Sequence, residues 1–253
     1  MMFADKVTVI TGAGGGIGRA VARRFAEEGA TLVLADAAAA SLAGTADALP
    51  PGTRHVTVEG NLRDKLFCQA LIDEAVERFG RIDILVNNAG IITRGTILET
   101  SDDDWDLTLD VNLSAVFYTC RSAIRHMTAQ KSGAIINVAS TWGIYPGPGH
   151  PAYITSKAAV ATLTKCLARD HARDGIRVNA VCPNEVNTPM LRTGFAKRGF
   201  DPDRAVAQLN ETVPLGRIAE PEDIADCIAF LASDQARYVA GAALEVSGAK
   251  PVY

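Results

Sequence analysis

The chain has 253 residues, and 48% of them are hydrophobic, which is ample for one large α/β core and too apolar for a disordered chain. Its 25 basic and 29 acidic residues leave a formal net charge of -4 and are mixed along the chain. No basic stripe favours nucleic acid, and no apolar run is long enough to cross a bilayer.

Short β-branched runs alternate with amphipathic stretches almost from end to end. Val7–Ile10 reads as a strand. Ile17–Glu28 reads as a helix with Ile17, Ala20, Val21 and Phe25 on one face. Leu32–Leu34 is the next strand, followed by a short alanine-rich helix, and Val56–Val58 is the third. Asp64–Phe79 is helical, with Leu71, Ala75 and Phe79 at intervals of four, and Ile84–Val86 is a strand. One long helix is expected over Asp103–Ala129, then a strand at Ala134–Val138 and a helix over Tyr153–Arg173. Val178–Val181, Pro221–Ala232 and Ala243–Val246 complete the set as strand, helix and strand.

Continuous apolar strands separated by helices mean a parallel sheet covered on both faces. Right-handed crossovers then give an α/β fold with a single doubly wound, Rossmann-type sheet. No linker divides residues 1–253, so one domain is expected. Two segments break the alternation: the Pro/Gly-rich loop from Gly143 to Pro151, and an insertion from Thr188 to about Thr212, read as a lid over the substrate. Both follow carboxyl ends of strands, where ligands bind in such sheets.

The five cysteines (Cys68, Cys120, Cys166, Cys182 and Cys227) are scattered and form no CxxC pair. They read as free thiols of a reducing compartment. His55, His126, His150 and His171 show no ligand spacing, so no metal site is expected. The run Met1–Lys6 lacks the apolar centre of a signal peptide. A cytoplasmic location is expected.

The first strand leads into Thr11-Gly12-Ala13-Gly14-Gly15-Gly16-Ile17-Gly18. Glycines at 12, 16 and 18 let the backbone turn sharply and approach a pyrophosphate, while the next helix aims free N–H groups at it. Asp36 ends the second strand 18 residues after Gly18, near the separation of about 20 for the acid that binds an adenosine ribose. A carboxylate there repels a 2′-phosphate, and Ala37–Ala40 supply no cation, so the expected cofactor is NAD.

With these motifs in order, the sequence resembles the short-chain dehydrogenase/reductase family over nearly its whole length. Thr11–Gly18 matches TGxxxGxG, Asn87-Asn88-Ala89-Gly90 matches NNAG, and Tyr153–Lys157 matches YxxxK. Asn112 and Ser140 fall on the family's remaining catalytic positions. The resemblance implies a hydride transfer between NAD and an alcohol or ketone, with a catalytic set of Asn112, Ser140, Tyr153 and Lys157. It implies cofactor contacts from Gly12, Gly15, Gly16, Ile17, Gly18, Asp36, Asn61, Leu62, Asn88, Gly90, Tyr153, Lys157, Val186 and Thr188. Family members are usually tetramers, so a homotetramer, or else a homodimer, is expected. Asn61 stands where the family often has Asp, and its amide oxygen can still accept from the adenine amino group. Asn184 replaces the usual glycine after Pro183, and asparagine tolerates a left-handed backbone better than most residues.

Tyr153 is the candidate acid–base. Lys157 lies four residues on, on the same helix face, where its ammonium favours the phenolate. Lys157 should also bind the nicotinamide ribose. Ser140 is expected to hold the substrate oxygen and Asn112 a water leading from Lys157 to solvent. The candidate substrate contacts are Ser140, Trp142, His150, Tyr153 and Asn184, with Tyr145 and Glu185 nearby. That polar mix suggests a polyol, sugar or hydroxy acid. Lid cations Arg192, Lys197, Arg198 and Arg204 could meet a carboxylate or phosphate. The alternatives are a 3-ketoacyl-thioester reductase and a non-catalytic NAD-sensing or scaffold protein.

Overall fold

In a computed structural model, which describes residues 1–250, seven strands form one sheet. They are β1 (Val7–Thr11), β2 (Thr31–Asp36), β3 (His55–Glu59), β4 (Ile84–Asn87), β5 (Gly133–Val138), β6 (Ile176–Pro183) and β7 (Ala243–Val246). Their order is β3-β2-β1-β4-β5-β6-β7, with every neighbouring pair parallel. The chain steps outward from β1 to β3, returns to the centre at β4 and then steps to the opposite edge. That reversal beside β1 opens a crevice at the carboxyl ends of the strands.

The helices are α1 (Gly16–Glu27), α2 (Ala39–Asp47), α3 (Lys65–Phe79), α4 (Asp102–Leu109), α5 (Ala115–Gln130), α6 (Pro151–His171), α7 (Pro189–Ala196), α8 (Pro202–Glu211) and α9 (Pro221–Ala232). Alternate strand residues point to opposite faces. On one face Ile10, Leu32, Leu34 and Ile136 share a core with Val21 and Phe25 of α1 and Ile228 of α9. On the other, Val9, Val33 and Ile135 share a core with Leu71 of α3, Met127 of α5 and Val160 of α6. Burial on both faces is why the strands read as unbroken apolar runs.

The long helix expected over Asp103–Ala129 is interrupted. Residues Asp110–Ser114 wind as a π-helical turn between α4 and α5. The Asn112 carboxamide within that turn grips the backbone of Ile91 at both ends: Ile91 N–H donates to Oδ1 at 2.8 Å, and Nδ2 donates to the Ile91 carbonyl at 3.0 Å. The widened turn faces Asn112 toward the loop after β4, which a regular helix would not do at the same phase.

The 188–212 insertion folds into two short helices. Thr188 and Asp201 cap α7 and α8 through their side chains, and Pro189 and Pro202 occupy the first turns. Leu191, Phe195 and Leu209 pack on Val206, Val213 and Ile218, a small core separate from those of the sheet. Helix α6 begins two residues earlier and ends two earlier than expected. Ser140 does not end β5; the strand stops at Val138, and the Ser140 hydroxyl accepts the Trp142 N–H at 3.1 Å to start a short 3-10 turn.

Candidate active site

A cavity of about 780 Å³ lies over the carboxyl ends of β1, β4, β5 and β6. The loop after β1 forms one wall. Gly12 has a φ of +64°, and a Cβ there would come within 2.7 Å of the Ala89 Cα, so the turn needs glycine on two counts. Gly12, Gly15, Gly16 and Ile17 line the cavity. Gly18, expected to contact the cofactor, does not. It is buried beneath the loop, where a Cβ would lie 2.1 Å from the Gly12 carbonyl oxygen. Its missing side chain lets α1 pack against the loop. Asn88 holds that loop from the other side, its Nδ2 donating to the carbonyls of Thr11 at 3.1 Å and Gly12 at 3.0 Å. No side chain caps α1, so its first N–H groups are left facing the cavity.

Asp36 sits at the end of β2 on the same wall. One carboxylate oxygen accepts the Gly14 N–H at 2.9 Å and the other the Ala38 N–H at 3.0 Å. Among the described residues it has no cationic partner. Asn61 and Leu62 also line the cavity. Asn61 Oδ1 accepts the Arg63 N–H at 3.0 Å, which leaves one lone pair for a ligand. Arg19 lines the wall too, with Nε on Thr45 Oγ1 at 3.3 Å, a cation that the sequence reading did not weigh. A glycine cradle, free helix N–H groups and an uncompensated carboxylate form a donor and acceptor set that fits a dinucleotide.

The proposed chemistry sits three strand spacings away, roughly 14 Å at 4.8 Å per strand. Tyr153, on the first turn of α6, faces the Ser140 hydroxyl across the cavity end. Burial pushes its phenol above the ordinary tyrosine range, and the nearby Ser140 hydroxyl opposes the rise. Lys157 is buried one turn on, and burial lowers its ammonium to about 8. Its Nζ donates to the Val138 carbonyl at 2.8 Å and stands 6.0 Å from the Tyr153 ring centre. Desolvation is the largest influence on both groups, and the amine is turned toward the sheet.

Gly90, Ser140, Tyr153 and Lys157 all line the cavity; Asn112 does not. Besides Ile91, the Asn112 amide donates to Ser156 Oγ at 3.0 Å. Both N–H groups of its amide are thus engaged with protein, and Oδ1 keeps one lone pair.

Trp142 and His150 lie together on the cavity wall, ring centres 4.7 Å apart, whereas Tyr145 faces outward toward Glu245. His150 Nδ1 bonds the Pro148 carbonyl at 2.9 Å, so that nitrogen carries the proton and Nε2 is free to accept. Burial holds the His150 pKa down, and the charges of Arg94 and Arg198 add to it. Val186, Thr188 and Asn184 line the floor. Asn184 does not have a left-handed backbone; its N–H continues toward Val246 at 3.1 Å, so glycine's freedom is not required there. Beside it, Glu185 Oε1 accepts from Lys250 Nζ at 2.7 Å, while Oε2 is buried without a partner. Of the four lid cations, Arg198 alone reaches the cavity, and Arg192 is tied to Asp203 at 2.7 Å. Arg94, from the loop after β4, lines it as well; no motif marked it.

Among the described residues no helix is long and apolar enough to cross a membrane, and no group of three His, Cys, Asp or Glu residues could hold a metal ion. A family model described as "Enoyl-(Acyl carrier protein) reductase" matches residues 12–248. The chain is 42% identical over 248 residues to meso-2,3-butanediol dehydrogenase of Serratia marcescens, covering 98% of this chain and 95% of that one. It is 39% identical to cis-4-hydroxycyclohexanecarboxylate dehydrogenase of Sinomonas cyclohexanicum, covering 97% and 96%. The solved structure of levodione reductase superposes with a TM-score of 0.94 at 33% identity over 97% of each chain. NAD+-bound xylitol dehydrogenase does so with a TM-score of 0.92 at 30% identity over 98% and 100%. The glycine loop, the Tyr153–Lys157 pair and these likenesses agree: the chain belongs to the short-chain dehydrogenase/reductase family.

Proposed function

We propose that the chain is an NAD-specific dehydrogenase of a small hydroxylated substrate. The enzyme moves a hydride between a nicotinamide dinucleotide and a secondary alcohol or ketone. The observation that carries this reading is the convergence of Tyr153 and Ser140 on one cavity, with Lys157 buried behind them. Bound in the cleft, the dinucleotide supplies the hydride acceptor for oxidation and the donor for reduction.

The chain's own residues do the rest. Tyr153 takes the proton from the substrate hydroxyl during oxidation and returns it during reduction. Ser140 holds the substrate oxygen beside the phenol. The positive end of Lys157 favours the phenolate, against the desolvation that raises it. Asn112 fixes Ile91 and Ser156 around that pair and so positions Lys157. Asp36 accepts hydrogen bonds from the adenosine ribose and disfavours a 2′-phosphate.

A cavity of about 780 Å³ is within the range of a single ligand pocket, roughly 300–1,000 Å³. Shared with a dinucleotide, it leaves room for a small substrate. Likeness to a 3-oxoacyl-[acyl-carrier-protein] reductase of Thermotoga maritima, at 38% identity, keeps a thioester ketone as the second reading. Initial rates with NAD and NADP against polyols and hydroxy acids, and with NADH and NADPH against an acetoacetyl N-acetylcysteamine thioester, decide between them. Turnover of small alcohols with NAD supports the proposal. Turnover confined to the thioester with NADPH overturns it.

A further inference from the structure

Arg94 and Arg198 reach the cavity from different elements, the loop after β4 and the end of α7, and they converge on Gly194. A terminal nitrogen of Arg94 lies 2.7 Å from where a Gly194 Cβ would be, so the guanidinium takes the space left by that glycine's missing side chain. Arg198 Nε donates to the Gly194 carbonyl at 3.0 Å. Arg198 is further held over the rings of Phe195, at 4.9 Å, and Phe200, at 5.6 Å. Both guanidiniums line the same cavity as Ser140, Tyr153 and His150.

Neither arginine is ion-paired with a carboxylate among the described residues. This is unusual company for two cations close enough to perturb one another: burial and the charge of Arg198 together hold the Arg94 pKa below its ordinary value. Nearby arginines find acids without difficulty, as Arg192 does with Asp203 and Arg217 with Asp223. Two acids line the cavity: Asp36 stands at the end of β2, on the glycine-loop wall, and Glu185 is held by Lys250 through one oxygen. His150 supplies no counter-charge, since an imidazole is either neutral or cationic.

Two like charges held together without an acid cost free energy unless something anionic visits them. We propose that Arg94 and Arg198 form an anion subsite for the substrate, so that the preferred alcohol bears a carboxylate a few atoms from the carbon that is oxidised. A hydroxy monocarboxylate and its oxo acid are the chemistry that matches. Planar guanidiniums match a carboxylate in a bidentate fashion, and Arg198 is pre-ordered by its carbonyl bond and the two phenyl rings. The proposal deepens the dehydrogenase reading above, because it places the carboxylate relative to Tyr153.

Two measurements test it and separate its failure from that of the dehydrogenase reading. The first is equilibrium binding of butanoate, which has no hydroxyl to oxidise, followed by the fluorescence of Trp142 in a Trp105→Phe background, with butanamide as the neutral control. Wild type should bind butanoate saturably and butanamide far more weakly, and Arg94→Gln with Arg198→Gln should abolish the difference. The second is the ratio of kcat/KM for 3-hydroxybutanoate over that for meso-2,3-butanediol. It should favour the acid in wild type and fall by roughly tenfold or more in the double variant, chiefly through KM, as expected for losing a charge-assisted contact. Arginine-dependent butanoate binding without any alcohol turnover would keep the subsite and sink the dehydrogenase reading. Turnover of the diol with no preference for the acid, and no arginine-dependent butanoate binding, would overturn the subsite. Arg94→Lys and Arg198→Lys, which keep charge and solubility, guard against a fold defect: they should recover part of the preference.

Discussion

The Lys157 amine donates to the Val138 carbonyl at 2.8 Å, and in doing so it stands 6.0 Å from the centre of the Tyr153 ring. The pair that carries the chemistry is thus anchored to the edge of β5, and its charge state is set by burial. Below about 8 the buried lysine keeps its proton at a desolvation cost. In the unfolded chain the proton stays on up to the ordinary lysine value of about 10.4. Between those values the unfolded chain binds more protons, so stability attributable to Lys157 rises with pH. Urea unfolding of wild type and Lys157→Met, compared from pH 7 to pH 10, should show wild type gaining on the variant above pH 8. A constant difference would show that the amine is not depressed.

Tyr153→Phe removes the acid–base group and keeps the ring. Positioned proton transfer is worth about 10²–10⁴-fold, and kcat should fall by that much. Binding of NAD, measured by quenching of protein fluorescence, should change by less than about threefold, because the adenosine half of the site lies three strands away. Near-normal turnover would remove Tyr153 from the mechanism.

Asp36→Ser keeps a small polar group at the end of β2 and removes the charge opposed to a 2′-phosphate. Its preference for NAD over NADP, as the ratio of kcat/KM, should drop by roughly tenfold or more, since like charges in contact cost several kcal/mol. Arg19 on the same wall then becomes available to the phosphate. An unaltered ratio would move cofactor choice to another residue.

Asn112→Ala strips the Ile91 N–H and carbonyl of their partners. Leaving such buried groups unpaired costs about 1–3 kcal/mol, and for a chain of this size each kcal/mol lowers Tm by about 2–4 °C. Differential scanning calorimetry should find a loss in that range. A wild-type Tm would show that the clamp contributes nothing.

Much of the fold was readable because each strand is short, apolar and flanked by helices with a clear period. Val7–Ile10, Pro221–Ala232 and Ala243–Val246 sit where the pattern puts them, to within a residue. The dinucleotide loop was readable because its glycines answer to steric demands that the side chains of neighbours reveal. What escaped was what depends on contacts distant in sequence. The π-helical turn at Asp110–Ser114 exists to let Asn112 meet Ile91, 21 residues earlier, and nothing in the local periodicity reports it. Gly18 matched a ligand-binding motif, yet it is buried against Gly12. Arg94 carries no motif at all, and only the convergence of two segments on Gly194 distinguishes it from a solvated arginine.

The widened turn also sets a phase. Each residue advances an α-helix by about 100°. The residue accommodated between α4 and α5 therefore fixes which side of the following sixteen residues faces Leu71 and which side faces outward. Taking out one residue between 110 and 114 would leave a smoother helix, and it would rotate Asn112 and the entire inner stripe of α5 out of register together. Local regularity and the working arrangement of this segment are alternatives, and the chain has settled on the second.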